Sequence, residues 1–347
     1  MKKQRRASRL KKRMREVMAS TNPLVSVIIP FFNAPFLKEA IESILSQSFT
    51  DFELLLVDNA STDQSVQVGK SYASHPKVWL LEESRQGVVF AMNTGIQAAR
   101  GQYIARMDAD DISLPDRLKW QVDKLQSDSS LGVVSGLVEY VGEESNEGFI
   151  HYVDWLNSIQ TNADIYLNQF VEFPMANPSK MFRKSVFDEY GMYREGDFPE
   201  DYEFFLRLQS HGVRMEKVTQ PVLKWRDSST RLTRTDPRYS QDAFFRIKAK
   251  YLTCWLQKKN PHHPNIFIWG AGRLSRRRSD YLLSEGINVL SYIDLKKSKK
   301  TIHFSELPDP GSCFVVSYVA NRGAREEIRS FLNERGFKEG IDYILAS

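Results

Sequence analysis

Short apolar runs alternate with segments of helical period along the first third of the chain, and this alternation leaves few architectures open. The first run, Val25-Ser26-Val27-Ile28-Ile29-Pro30, is nearly continuous and ends in proline. A strand half-exposed to water would alternate; a run apolar throughout suits a strand buried on both faces of a parallel sheet. Phe31-Phe32-Asn33 follows, then a helical pattern with Leu37, Ile41, Ile44 and Leu45. A second strand, Phe52 to Val57, runs into Asp58-Asn59-Ala60-Ser61-Thr62-Asp63. A third, Val78 to Leu81, leads into Glu82-Glu83-Ser84-Arg85-Gln86-Gly87. A helix from Val88 to Ala99 precedes a fourth strand starting at Tyr103, which enters Met107-Asp108-Ala109-Asp110-Asp111. Strand and helix in turn predict a right-handed parallel α/β unit. Such sheets bind ligands beyond the carboxyl ends of their strands, where Asn33, Asp58, Arg85, Asp108 and Asp110 all fall.

The acidic triplet carries its own chemistry. The strand stops at Asp108-Ala109-Asp110 and so presents two carboxylates on the same side, because side chains repeat every second residue. Carboxylates that close repel unless a cation lies between them. A hard divalent ion such as Mg²⁺ or Mn²⁺, which also holds phosphate oxygens, is a natural occupant. Taken alone, the triplet is equally a solvated acidic turn.

Five ordered segments carry a resemblance. They are Ser26 to Asn33, Val57 to Asp63, Asn93-Thr94-Gly95-Ile96-Gln97-Ala98-Ala99-Arg100-Gly101, Met107 to Asp111, and Phe198-Pro199-Glu200-Asp201-Tyr202. Over residues 24 to about 235 the chain resembles an inverting family-2 glycosyltransferase of GT-A fold. The resemblance implies that the backbone around Pro30 and the side chain of Asp58 hold the nucleobase and ribose of a nucleotide-sugar donor, with Asn33 nearby. Arg85 approaches the base or the diphosphate, Asp108 contacts the ribose, and Asp110 binds Mg²⁺ or Mn²⁺ on the diphosphate. Asp201 is the implied general base, taking the proton of the attacking hydroxyl. Each has a plainer alternative. Asp58 shares helix-capping ability with Ser61 and Asp63. Arg85 is also readable as a solvated loop charge, and Asp201 as an acid favoured by a helix N-terminus. Glu200 is the nearest competitor for the base.

Two departures from the family pattern stand out. Many relatives carry histidine before the Pro-Ser of an acceptor-side strand, whereas here Asn177 precedes Pro178-Ser179; it can hydrogen-bond but cannot titrate. Processive synthases carry Gln-x-x-Arg-Trp, whereas Gln220 to Trp225 has one residue too many and a lysine. Val222 to Trp225 reads as a strand that brings Arg226 near the site, and transfer of a single sugar is expected.

A chain of 347 residues has room for about two domains and a substantial core. No stretch approaches the roughly 20 apolar residues of a membrane span, and no signal-peptide core is visible. Cys254 and Cys313 lie in apolar surroundings and are expected to be buried free thiols in a reducing cytoplasm. The net charge of +5 misleads, because residues 1–20 hold nine Lys or Arg and one Glu, so the rest of the chain is at −3. That tail, with Leu10, Met14, Val17 and Met18 near helical spacing, reads either as a basic amphipathic helix on anionic lipid or as a disordered solvated tail. It has no aromatic residue to stack on a base, and nucleic acid is not an expected partner.

Gln257 to Pro264 reads as a linker. The expected organisation is a tail at 1–20, a GT-A domain at 21–258 and a small Rossmann-like α/β domain at 262–347. In the last, a strand at Asn265–Trp269 leads into Gly270-Ala271-Gly272-Arg273-Leu274-Ser275 and a helix. This resembles a phosphate loop with Ser at the third glycine. Asp294, 22 residues beyond Gly272, stands near the usual ribose-binding acid. The 83 residues from Asn265 suffice for a mononucleotide half only. Gly270, Gly272 and Asp294 are thus candidates for a second nucleotide site, with a purely structural or interaction domain as the alternative.

The reading is a cytoplasmic or peripherally membrane-bound hexosyl- or N-acetylhexosaminyltransferase. It takes a nucleotide sugar, expected to be UDP-linked, and a glycan or lipid-linked acceptor, in bacterial surface-polysaccharide synthesis. A nucleotidyltransferase would carry a glycine-rich loop after the first strand, where Pro30-Phe31-Phe32-Asn33 has none. An NAD-dependent oxidoreductase built on the C-terminal loop would need a larger dinucleotide fold. A catalytically silent binding module sits poorly with the retained Asp110 and Asp201.

Overall fold

The computed structural model describes residues 22–143, 146–227 and 232–347. The tail at 1–20, with its two readings, lies outside them. The described chain forms two compact units. One takes in the residues up to 160, then 175–194 and 214–227; the other takes in 161–174, 195–213 and 232–347. The linker expected at 257–264 falls inside the second.

The first unit is built on one mixed sheet. Its strands are β1 (Val25–Phe31), β2 (Phe52–Asp58), β3 (Val78–Glu82), β4 (Tyr103–Arg106), β5 (Ile112–Ser113), β6 (Leu131–Val141), β7 (Met181–Arg183) and β8 (Arg214–Arg226). They lie in the order β3-β2-β1-β4-β7-β6-β8-β5. The first four are parallel, as their apolar runs predict. β7 then runs antiparallel to both β4 and β6, so the parallel unit is half of a larger mixed sheet. Val25, Val27, Ile28 and Ile29 are fully buried, as a central strand requires. The helices Leu37–Leu45, Ser65–Tyr72 and Val88–Ala98 connect the parallel strands.

Polar residues fix how these elements approach one another. Glu53, inside β2, accepts from Ser26 Oγ at 2.7 Å and from the Arg100 guanidinium at 2.6 and 2.9 Å. Ser26 Oγ in turn accepts from Gly101 N at 2.8 Å. A Cβ on Gly101 would lie 2.6 Å from the Ser26 nitrogen, so only glycine lets the chain cross here. Gly95 plays the same part for the helix Val88–Ala98, where a Cβ would meet Ile28 Cγ2 at 2.5 Å. The Arg-Gly and Thr-Gly pairs of the third matching segment therefore seat a helix and a strand on β1.

The second unit contains the helices Asn162–Asn168, Glu200–Ser210 and Gln241–Lys259 and a second sheet. Its strands are β9 (Asn265–Trp269), β10 (Asn288–Asp294), β11 (Thr301–His303), β12 (Val315–Ser317) and β13 (Tyr343–Leu345), in the order β11-β10-β9-β12-β13 and all parallel. Cys313 is buried, and burial pushes its thiol up to about 11. Cys254 is exposed, contrary to expectation. The helix Gln241–Lys259 buries Ile247, Leu252, Trp255 and Leu256, and at 3.6 residues per turn Cys254 is left off that face. Among the described residues no helix is long and apolar enough to cross a membrane.

Candidate active site

The carboxyl ends of β2, β1 and β4, three neighbouring strands, bring most of the sequence-predicted residues into one region of the first unit. Phe31 of β1 is level with Asp58 of β2, and the Asn59 amide donates to Phe31 O at 2.9 Å. Both strands end in left-handed residues that are not glycine, Asn33 (φ 47°) and Ala60 (φ 61°). A side chain in that region strains the backbone, so neighbours must hold it there. The holding bonds are present. Asn33 N donates to Ser61 Oγ at 3.2 Å, Thr62 N donates to Asn33 Oδ1 at 2.8 Å, and Ser61 N donates to Asp58 Oδ1 at 3.0 Å. Asp58 is 9 % exposed, and its second carboxylate oxygen has no partner among the described residues. Pro30, one residue before the end of β1, pairs with Val57 and is half-buried.

Arg85 is engaged by an acid that the sequence reading passed over. Glu83 accepts from Arg85 N at 2.9 Å, from its guanidinium at 3.0 Å twice, and from Thr94 Oγ1 at 2.7 Å. These donors, Arg85 foremost, hold the Glu83 carboxyl down to about 2. The Arg85 side chain is still 66 % exposed, lying over the Phe90 ring at 4.6 Å. Asn59 ties this loop down: its Nδ2 donates to Glu83 O and Arg85 O, and its Oδ1 accepts from Gly87 N at 2.7 Å.

The acidic triplet is not an extension of β4. The strand stops at Arg106, and Asp108 to Asp111 form a turn, with Asp111 N donating to Asp108 O at 3.4 Å. Side-chain alternation therefore does not place the two carboxylates; Arg106 and Arg226 hold the turn, and Arg117 holds the strand end before it. Arg106 Nε donates to Asp108 Oδ1 at 2.9 Å. Arg226, at the end of β8 as expected, donates its amide to the buried Asp111 at 2.8 Å and its Nε to Asp110 O at 2.9 Å, and pairs with Glu39. Arg117 is completely buried: its guanidinium donates to Arg106 O at 2.7 Å, Gln121 Oε1 at 3.1 Å and Met107 Sδ at 3.4 Å. Burial pulls it down to about 10, against the opposing pull of Asp111 and Asp108. A cation left this far from water stays charged through the acidic turn above it. Arg117 and Gln121 escaped the sequence reading because nothing local distinguishes them from other helical polar residues.

Among the described residues no three His, Cys, Asp or Glu side chains gather to hold a metal by themselves. The donor set still suits Mg²⁺ or Mn²⁺. Asp108 and Asp111 are engaged by Arg106 and Arg226, and Asp110 is half-buried on the same turn. An ion taken by one carboxylate and two phosphate oxygens needs no protein cage.

In the second unit, Asp201 is the second residue of the helix Glu200–Ser210. It is partly exposed, and its Oδ1 accepts from Tyr202 N at 2.8 Å. Glu200 is 3 % exposed and accepts from Tyr239 OH at 2.5 Å, which makes it the less accessible of the two. At the C-terminal sheet, Asp294 accepts from Ala271 N at 3.0 Å with one oxygen and from Leu295 N at 2.7 Å with the other. Gly270 has φ 108°, and a Cβ there would meet Ser275 Oγ at 2.7 Å; around Gly272 the space is open.

Known proteins resemble this chain. The family model described as Glycosyl transferase family 2 matches residues 26–191. The putative glycosyltransferase EpsE of Bacillus subtilis is 31% identical over 231 residues, 64% of this chain and 80% of EpsE. An uncharacterized glycosyltransferase of Methanocaldococcus jannaschii is 27% identical over 256 residues, 71% of this chain and 84% of that one. The structure of S. aureus TarS 1-349 in complex with UDP-GlcNAc matches with a TM-score of 0.54 at 16% identity, covering 75% of this chain and 70% of that one. The fold is accordingly α/β and GT-A-like, and the chain belongs to glycosyl transferase family 2.

Proposed function

We propose that the chain is an inverting glycosyltransferase that moves one sugar from a UDP-linked donor to a hydroxyl of a glycan or lipid-linked acceptor. The setting is bacterial surface-polysaccharide synthesis, and the companion ion is Mg²⁺ or Mn²⁺. The observation that carries this reading is the row formed by β2, β1 and β4. A carboxylate with one oxygen unpartnered among the described residues, Asp58, ends one strand, and an acidic turn held by Arg106 and Arg226 follows another. That TarS was solved with UDP-GlcNAc supports a nucleotide sugar as donor.

In this reading the open oxygen of Asp58 accepts from the nucleobase or ribose, beside Asn33 and the Pro30 backbone. Arg85, swung out on Glu83, meets the base or diphosphate, and Asp108 meets the ribose. Asp110 would hold the ion, which when bound supplies Lewis-acid stabilisation of the departing nucleoside diphosphate. Asp201 takes the proton of the acceptor hydroxyl, a poor nucleophile until it is deprotonated. Attack in a single displacement inverts the anomeric carbon. For the five-stranded sheet we propose a structural or interaction role. Asp294 braces its own loop with both oxygens, accepting from Ala271 N and Leu295 N, which supports that role.

A panel of nucleotide sugars tested for thermal stabilisation, with and without Mn²⁺, checks the donor. A ligand at a hundred times its Kd stabilises by about 2.7 kcal/mol. UDP-sugars are expected to raise Tm only with the metal present. A panel without any such shift contradicts the reading.

A further inference from the structure

One buried polar side chain in the first unit is left over once the proposed donor contacts are assigned. Asn177 opens the short 3-10 turn Asn177–Ser179. It is 9 % exposed; its Oδ1 is closed off from solvent and its carboxamide makes no hydrogen bond among the described residues. Its sequence neighbours Met175, Ala176, Pro178 and Met181 are buried. Buried carboxamides are nearly always satisfied, so an unpaired one calls for a reason.

The turn presenting it is held firmly. Ser179 Oγ lies 2.5 Å from Ser135 Oγ and donates to Ala176 O at 2.7 Å, and Ser179 O accepts from Gln121 Nε2 at 2.6 Å. Gln121 is the residue that also meets Arg117 beneath the acidic turn. Position follows from the sheet. Met181 of β7 pairs with Ala105 of β4, and Arg106 N donates to Lys180 O at 3.0 Å. β7 is antiparallel to β4, so read backward from Met181 the chain runs along β4 toward the end that carries Asp108 to Asp111, and the turn packs on β4.

Strand order then assigns the ligand. Across β2, β1, β4 and β7, the residues proposed for the nucleoside lie on the first two and the acidic turn proposed for the diphosphate follows the third. A nucleotide sugar laid along that row brings its sugar to the fourth, beside Asn177. A carboxamide accepts and donates at once, as does a sugar hydroxyl or an acetamido group. We infer that Asn177 is a specificity-determining residue that reads the sugar of the donor. This rests on the nucleotide-sugar reading above.

The test separates the sugar from its carrier. With Mn²⁺ present, calorimetry gives Kd values for UDP, UDP-GlcNAc, UDP-glucose and UDP-galactose on the parent, Asn177→Ala and Asn177→Asp, with circular dichroism as the check on folding. In the alanine variant UDP is expected to bind within about twofold of the parent. The preferred UDP-sugar is expected to lose about tenfold, near the worth of a hydrogen bond, and the three sugars to converge in affinity. Asn177→Asp, which keeps the shape and only the acceptor, should reorder the sugars rather than level them. An unchanged ranking in both variants overturns the inference. So does an equal loss for UDP and UDP-sugars, because Asn177 would then serve the nucleotide pocket as a whole. A parent that binds no nucleotide refutes the donor reading itself, and this inference falls with it.

Discussion

Asp58 and Asp294 stand at the same kind of place, the last residue of a strand in a parallel stack, and do different things. Asp58 gives one oxygen to the backbone at Ser61 and, among the described residues, leaves the other unpartnered. Asp294 gives both, to Ala271 and Leu295. Strand ends in such sheets are where ligands bind, yet position alone makes only a candidate. The two acids differ in how much of their accepting capacity their own loop takes. On that difference rests the proposal that the nucleotide lies at the first sheet and that the second is structural.

The largest expected effect tests the reaction and not the binding. Asp201→Asn should leave UDP affinity unchanged and cut turnover by roughly 10²–10⁴-fold, the usual worth of a positioned base. If Glu200→Gln were the dead variant and Asp201→Asn active, the two roles would exchange.

Next in size are two buried lysines, one in each unit. Lys217 donates to Leu156 O, and Lys248 to Val171 O and Ala346 O; burial pulls both down to about 7. A lysine depressed by folding costs stability in full below pH 7, where both states are charged. The cost fades as pH rises toward the ordinary lysine value near 10.5, so stability rises with pH across that window. Lys217→Met and Lys248→Met should each stabilise at pH 6, by up to ~4 kcal/mol, and lose the advantage by pH 10. Denaturant melts at the two pH values check this. A pH-independent difference would mean that folding does not depress the two amines.

Matched Asp→Asn changes sharpen the opening comparison directly. An amide at position 58 can still offer an oxygen to Ser61 N, so Asp58→Asn should hold its Tm. It should lose UDP affinity by about tenfold or more, since hydrogen bonds to charged groups are worth about 1.5–3 kcal/mol. At position 294 an amide must turn an N–H toward a backbone N–H, whichever way it flips. Asp294→Asn should therefore lower stability by about 1–3 kcal/mol and leave UDP affinity alone. The reverse outcome would move the nucleotide to the second sheet.

The sequence made the strands legible wherever burial was two-sided: β1, β2 and β4 show as apolar runs, and β9 and β10 stand where the second alternation puts them. It placed Asp58 at a strand end and Arg226 near the acidic turn, but ran β4 on into Asp108 and Asp110. It could not show that β4 stops at Arg106, because that residue leaves the strand by pairing with Asp108, two positions on. Glu83, Asn59 and Arg117 were equally invisible. Their partners include backbone carbonyls or side chains 11 to 28 residues away, which only the fold brings near. Cys254 looked buried because Leu252, Trp255 and Leu256 stand beside it in the sequence, and only the packed face of the helix decided otherwise.

The central claim is that the acidic turn of the first unit binds the donor diphosphate through a metal at Asp110. Calorimetry of UDP against the whole chain and Asp110→Ala, each with Mn²⁺ and with chelator, tests it most directly. The parent should bind UDP with Mn²⁺ and lose most of that affinity in chelator, and Asp110→Ala, folded as the parent by circular dichroism, should bind weakly in both. Equal Mn²⁺-dependent affinity in variant and parent would contradict the claim.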